Sequence, residues 1–421
     1  MTTVPTAQNL TTDAVIVGAG LAGLSAEYAL RGTGLRVQLL EADEQIGGRT
    51  RGEYWPAAGR HIDLGASWLT DEFRHARKFA STFGLALVET PAPTRHLTHS
   101  HTGITQQQFL SQTDVTDLVR ANEQILAAIE AAVDEPLTVQ DALEQVPMSP
   151  VAREWHLAMQ RYLSGARLDR VDAHHLLLPM DDLENPEHYG VEFANTMQDL
   201  VNGFAHGIEA DLELATPVQA VREHEGGYVV ETSAGRSVRA KHVVLAVPLN
   251  VLQDIDLAPA DLEPLTPFVA DGHAGACRKD WFVLRGVDQH TRVFAATGLF
   301  GYFRTAVRLG QDRMLAAGLA PSAEGTPTLA EFGHQIQQYL PTAQIEDHFS
   351  FDWSEHPWAQ GTWVAPPPGF YPALEELAAT HRQLHLVGGD ISNTFPSTVE
   401  GAIETGLNAA ANIHRAEQSH R

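Results

Sequence analysis

Short apolar runs separated by polar turns fill both ends of this chain, and helical periodicity governs part of its middle. The three β-branched residues Val15-Ile16-Val17 read as a buried strand, followed by a helix from Leu24 to Leu30 and a second strand over Arg36–Leu40. Between residues 110 and 170, Leu118, Ile125, Leu126, Ile129 and Val133 recur at helical spacing, and Pro136 and Pro147 divide the stretch into separate helices. An amphipathic helix is expected between Asn195 and Ala210. The pattern then returns to strands: Thr216–Val221 and Tyr228–Thr232 form a hairpin about Gly226-Gly227, Val238-Arg239-Ala240 follows a turn at Ala234-Gly235, and His242–Val247 is a buried strand ended by Pro248. From Lys279 the chain alternates. Period two puts Lys279, Trp281 and Val283 on one face and Asp280, Phe282 and Leu284 on the other, with Arg278 leaving the register open by one residue. Near the end, Leu384–Val387 is a further strand, and Ala402, Ile403, Gly406, Leu407, Ala410 and Ile413 make a buried helical stripe. Ser397-Thr398-Val399-Glu400 fits a capping box, Ser397 as N-cap and Glu400 reaching back, which accounts for Glu400 without a catalytic duty.

The first strand and helix enclose the candidate chemistry. Gly18-Ala19-Gly20-Leu21-Ala22-Gly23 is a GxGxxG sequence between strand and helix, a weak signal alone. Its context strengthens it. The second strand ends in Glu41, where a carboxylate can accept both ribose hydroxyls of an adenosine, whereas an arginine there would suit a 2′-phosphate. Gly18 and Gly20 let the backbone approach a pyrophosphate, Gly23 lets the helix pack on the strand, and the helix N-terminus offers unpaired N–H groups. The pair Gly47-Gly48 then precedes Arg49, whose guanidinium can fork onto phosphate oxygens.

Composition narrows the classes. At 421 residues the chain predicts two domains, and 43% hydrophobic content argues against disorder. Lys and Arg total 28 against 53 Asp and Glu, a formal charge of −25, which excludes nucleic acid and anionic membranes as partners. Cys277 is the only cysteine, so neither an intrachain disulfide nor a cysteine-based zinc site can form. His96, His99 and His101 lie close together but lack a supporting carboxylate motif; they are read as a solvated loop, and no metal is expected. No signal peptide or apolar anchor is visible, so a cytoplasmic location is expected.

The order of GxGxxG, acidic ribose ligand, Gly-Gly-Arg and then Leu64-Gly65-Ala66-Ser67-Trp68 resembles the flavin-containing amine oxidases, the monoamine and polyamine oxidase group. The amino-acid oxidases of the same fold carry Ala-Met-Arg at this corner, so Ala66-Ser67-Trp68 leans toward amines. The resemblance implies an α/β fold with two domains. A Rossmann-like FAD-binding domain would take residues 1–90, 205–250 and 380–421, and a mixed-sheet and helical substrate domain residues 91–204 and 251–379. It implies that Gly65, Ala66, Ser67 and Trp68 run along the flavin ring, that Val218 offers a backbone contact to adenine, and that Lys279 reaches flavin N5 through water. Trp353 precedes the turn Gly361-Thr362-Trp363 as in the family, in which Trp363 would be one wall of an aromatic cage. Thr362 stands where some members bear a cysteine joined to flavin, so FAD is expected to be noncovalent. Gly389 and Asp390 would meet the ribityl or phosphate region, and the helix start at Thr398, Val399 and Ala402 would point at the flavin C2 carbonyl and N1. Thr398 cannot form the second cage wall, which leaves a half-built cage or a replacement by Tyr189, Phe193 or Phe204.

The function so implied is oxidation of a small-molecule amine, with hydride passing from the α-carbon to flavin N5. The imine hydrolyses to an aldehyde or ketone, and O2 is reduced to H2O2. A same-fold oxidoreductase of amino acids or of a C–C bond, and a non-catalytic flavin-binding partner protein, are the alternatives. The family also implies a homodimer.

Overall fold

The computed structural model describes residues 10–106, 111–132, 135–177, 190–257, 262–322, 325–378 and 383–419. Val133 and Tyr189 lie outside these described residues.

The strand Leu10–Val17 is the axis of the first sheet. It pairs in parallel with Val37–Leu40 on one side and with Ser237–Leu245 on the other. Both its faces are buried, as its unbroken apolar run requires: Ile16 joins the core under the helices, and Val15 and Val17 join the core on the opposite face. Asp211–Glu213 extends the sheet beyond Val37–Leu40. Ser237–Leu245 divides its far edge between two neighbours, antiparallel Gly227–Thr232 along its first half and parallel Leu384–Leu386 along its second. The hairpin partner Val218–His224 and the short strand Asp256–Leu257 complete an eight-stranded sheet among the described residues. Segments from the beginning, middle and end of the chain thus share one sheet.

Two helices cover one face of it. Leu21–Leu30 and Val399–Ser419 bury Ala22, Leu24, Ile403 and Ala410 in a common core, and the Ser25 hydroxyl donates to the Ala22 carbonyl at 2.9 Å and toward that of Ile403 at 3.3 Å.

The second sheet has seven strands among the described residues, in the order Gln344–Asp352, Cys277–Arg285, Arg313–Pro321, Tyr302–Arg308, Thr291–Ala295, Arg95–Ser100 and Gly103–Gln106. The expected alternation holds: Trp281 and Val283 pack with Trp55, Leu64 and Trp353, and Phe282 and Leu284 pack with Phe303 and Phe332. The helices Gln112–Ala131, Val139–Gln145 and Pro150–Leu163 arise where helical periodicity was read, burying Leu118 and Ile125. Leu126 turns outward and is exposed, being one residue off that face.

Two expectations are corrected. His96 and His99 do not sit in a solvated loop; they belong to the strand Arg95–Ser100, which pairs in parallel with Thr291–Ala295. Only Leu97 of that strand is fully buried, so no apolar alternation announced it. The His99 ring meets the Tyr339 hydroxyl at 2.9 Å, His101 on the following turn meets Glu154, and no metal-holding cluster occurs among the described residues.

The expected capping box does not form, and the cap itself is displaced by one residue. Ser397 is held at φ +68 and its hydroxyl donates to the Val364 carbonyl, while Thr398 accepts from the Gly401 N–H at 3.1 Å and is the N-cap. Glu400 is therefore free of its own helix start. It caps another helix, Arg74–Thr82, accepting from the N–H groups of His75 and Ala76 at 2.8 and 2.9 Å, where Phe73 as N-cap offers no side-chain oxygen. Glu400→Ala leaves the buried Ala76 N–H and the half-buried His75 N–H unpaired, with an expected loss of about 2–3 kcal/mol of unfolding free energy in a urea titration, against under ~1 kcal/mol for Ser397→Ala.

Candidate functional site

The glycine turn after Val17 is shaped by contact. Gly18 adopts φ +101 and its N–H donates to the Leu40 carbonyl at 2.7 Å. A Cβ at Gly23 would lie 1.9 Å from the Gly18 carbonyl oxygen, so only glycine lets the helix start so close to the strand end. Gly20 is the N-cap of Leu21–Leu30, with no side-chain cap and no acid in the first turn, so no side chain of the helix itself offsets its positive end. Ala22 is buried in that first turn. Gly47 donates to the Ala19 carbonyl at 2.9 Å and draws Gly47-Gly48 against the same turn.

Glu41 closes the turn from the second strand. Its carboxylate accepts from the Ala19 N–H at 2.6 Å and the Asp43 N–H at 2.8 Å, and burial pushes its carboxyl above the ordinary range. The Thr216 N–H donates to the Glu41 carbonyl, which sets Pro217-Val218 beside it. The residues read as ribose and adenine contacts are therefore neighbours.

Arg49 and Asp390 meet. The guanidinium lies 2.8 Å from an Asp390 oxygen and also donates to the Thr362 carbonyl. Asp390 is buried, and its other oxygen accepts from the Leu249 N–H at 3.1 Å. Burial opposes its charge, but Arg49, His273 and the Leu249 N–H together hold its carboxyl below the usual range. Gly389 accepts from the Ser397 N–H, which ties Asp390 to the start of the helix that carries Thr398, Val399 and Ala402.

The corner Gly65–Trp68 crosses the same region. A Cβ at Gly65 would fall 1.8 Å from the Arg49 carbonyl oxygen, and the Trp353 indole N–H donates to Leu64 beside it. Lys279, and not Arg278, points here: its ammonium donates to the Gly65 carbonyl at 2.9 Å and to the Ser67 hydroxyl. Arg278 pairs instead with Asp280 at 3.0 Å on the opposite face of the strand. Burial lowers the Lys279 pKa below its ordinary 10.5, opposed by the negative charge of Asp63, whose own carboxyl burial raises. Asp63 was not singled out in the sequence; it is fixed by the Met197 N–H at 2.9 Å, and its carbonyl accepts from the Trp281 indole.

Trp363 is fixed by an indole hydrogen bond to the Leu163 carbonyl. The two described candidates for a replacement cage wall fail: Phe193 and Phe204 are core residues packed with the Phe79 side of the first sheet's helical layer, Phe204 at 4.6 Å from the Phe79 ring. The aromatic group next to Trp68 is built instead from Tyr162, Tyr302 and Phe294, with Tyr162 and Tyr302 at 4.8 Å and Tyr162 and Phe294 at 5.6 Å. These three come from a helix and two strands far apart in sequence, and no local spacing relates them.

The donor set fits a flavin dinucleotide. A helix N-terminus without a side-chain cap, a carboxylate held over it and the Arg49–Asp390 pair line one path, and the Thr362 hydroxyl is buried there without a protein partner. The family model described as flavin-containing amine oxidoreductase matches residues 21–279 and 329–414. The chain belongs to that family. Among curated relatives, the (S)-6-hydroxynicotine oxidase of Paenarthrobacter nicotinovorans is 25% identical over 420 residues, covering 93% of this chain and 97% of that one. Among solved structures, putrescine oxidase bound to putrescine superposes with a TM-score of 0.82 at 21% identity over 96% of this chain and 99% of that one. Cyclohexylamine oxidase from Brevibacterium oxydans gives 0.83 at 20% identity over 97% and 100%. The amine oxidoreductase thus has the family's α/β fold and its flavin, and acts on amine groups.

Asp390→Asn in this amine oxidoreductase removes the buried charge that faces half-buried Arg49 and leaves its guanidinium only the Thr362 carbonyl. The expected result is a loss of about 2–4 kcal/mol of stability and substoichiometric flavin after gel filtration, read from the flavin-to-protein absorbance ratio.

Proposed function

We propose that the protein is an FAD-dependent oxidase of a small-molecule amine, with the FAD held noncovalently and electrons delivered to O2. The observation that carries the reading is Lys279, a buried ammonium anchored on the Gly65 carbonyl and Ser67 hydroxyl of the corner that the family lays along the flavin ring. In this reading the FAD domain takes residues 1–90, 205–250 and 380–421. The pyrophosphate lies on the Gly18–Gly23 turn and Arg49, with Glu41 on the ribose, Val218 on adenine, and Gly389, Asp390, Thr398, Val399 and Ala402 toward the ribityl chain and flavin ring.

The redox chemistry that bound FAD supplies is acceptance of hydride from the amine α-carbon and return of both electrons to O2, released as hydrogen peroxide. What this chain adds is position and electrostatics. The aromatic side chains Trp68, Trp363, Tyr162 and Tyr302 exclude water, which lowers the pKa of a bound amine and favours its reactive neutral form. The helix that starts after Thr398 supplies a positive dipole end for charge developing on the ring. Lys279 has three N–H donors; Gly65 and Ser67 take two, and the third is left for the water or reduced oxygen species beside the ring. Asp63 balances that ammonium from the protein side.

Anaerobic mixing with the correct amine should bleach the flavin, and admitted oxygen should restore it with one peroxide per amine consumed. If no amine bleaches the bound flavin, the proposal fails. Lys279→Met should slow reoxidation about 100-fold while leaving the bleaching rate within about threefold. Loss of the ammonium as pH rises through its lowered pKa should also give wild-type reoxidation an alkaline limb below 10.5 that the variant lacks.

A further inference from the structure

The face of the second sheet that carries Lys279 extends well past it. Lys279 lies opposite Leu319, Leu319 opposite Tyr302, and Tyr302 opposite Phe294, so one row of side chains runs across four strands on one face. One row on, Trp281, Ala317, Arg304 and Arg292 lie opposite one another in the same way. Arg304 therefore faces the same side as the reacting end, two residues from Tyr302.

Arg304 is 7% exposed and shares this largely aromatic and aliphatic face with Lys279 and Arg292. Two neighbours hold it. Its guanidinium lies 5.6 Å from the Trp68 ring, and one nitrogen is ion-paired with Glu192. Glu192 comes from Val191–Phe193, the strand that pairs with Trp68–Leu69, and is the register partner of Trp68 itself. Trp68 follows Ser67, on which Lys279 rests. The ion pair is thus one tryptophan away from the lysine. Lys279 faces Asp63 and Arg304 faces Glu192, while Arg292, the register partner of Arg304, lies over the Phe294 ring at 5.2 Å and reaches the His96 ring. Burial disfavours the Arg304 charge, but Glu192 more than offsets it and keeps the guanidinium protonated.

We propose that the Glu192–Arg304 pair determines substrate specificity by presenting two buried charges that are already engaged with each other. Resting on the amine-oxidase reading, this names the substrate class. It is an amine with a single cationic centre on an aromatic or aliphatic body. A second ammonium would meet Arg304 with its carboxylate already engaged, and a carboxylate would meet Glu192 in the same position. Neither can be desolvated there without an unpaired partner. The pair selects by exclusion, and removing one member should admit the charge the other attracts.

Pentylamine, cadaverine and δ-aminovalerate share one chain length and differ only at the far end, so they isolate that end. In the wild type the expected order puts pentylamine well ahead of both others. Arg304→Gln leaves Glu192 unpaired and should raise the cadaverine-to-pentylamine ratio of kcat/KM by at least about tenfold. Glu192→Gln leaves Arg304 unpaired and should raise the δ-aminovalerate-to-pentylamine ratio by a similar factor, with no gain for cadaverine. The double variant should restore the wild-type order. Each ratio is taken within one protein, so a general loss of activity or flavin cancels. Anaerobic binding of the same compounds, followed by tryptophan fluorescence, should shift in the same senses. Ratios that stay within about twofold in both single variants, or that move in the same sense in both, overturn the proposal while oxidation of pentylamine leaves the enzyme reading standing. A wild type that oxidises no amine overturns the enzyme reading, and the binding ratios still decide the role of the pair.

Discussion

An ion pair between half-buried Arg49 and buried Asp390 joins the two ends of this chain, and the functional architecture depends on it. Arg49 belongs to the Gly-Gly-Arg loop that lies on the first glycine turn, and Asp390 precedes the start of the last helix. Two charges in a low-dielectric interior are costly unless their remaining hydrogen-bonding capacity is met. Here the Thr362 carbonyl and the Leu249 N–H meet it, so segments from four parts of the sequence are held at one point. The helix starts after Gly20 and after Thr398 are both fixed relative to this pair, and each presents a positive end. A cofactor with a pyrophosphate at one end and an electron-accepting ring at the other is what two such ends can serve together.

From that junction the chemistry passes outward through short contacts. The Arg49 carbonyl crowds Gly65, Gly65 and Ser67 hold Lys279, and Trp68 carries Arg304 and Glu192. The charged groups along this path occur as opposite-sign partners, and the surfaces between them are aromatic. Such a path is dry, and each charge on it has a partner. It suits a substrate that must lose its own proton before it reacts, because burial alone then supplies the shift.

Much of the frame was legible in the sequence because it is written in long apolar runs. The strand at Val15–Val17, the hairpin about Gly226-Gly227 and the alternation after Lys279 each bury a face large enough to impose its period. The last of these also separated Lys279 from Arg278 once the strand's two faces were seen. What the sequence hid depends on single residues or on distant partners. One residue at positive φ, Ser397, moved a helix cap by one position and released Glu400 to cap a different helix. A strand with one fully buried side chain, Leu97, carried no readable period. Phe193 and Phe204 were chosen for their aromatic type, but their burial belongs to the core beneath the first helix. Tyr162, Tyr302, Arg304 and Glu192 are brought together only by strand pairing and helix packing, which no spacing along the chain encodes.

The flavin content of the purified chain tests the central claim most directly. If the first glycine turn and the last helix enclose one cofactor, the protein should carry close to one FAD per chain, released intact and unmodified on denaturation. A colourless protein that takes up no added FAD would contradict the account.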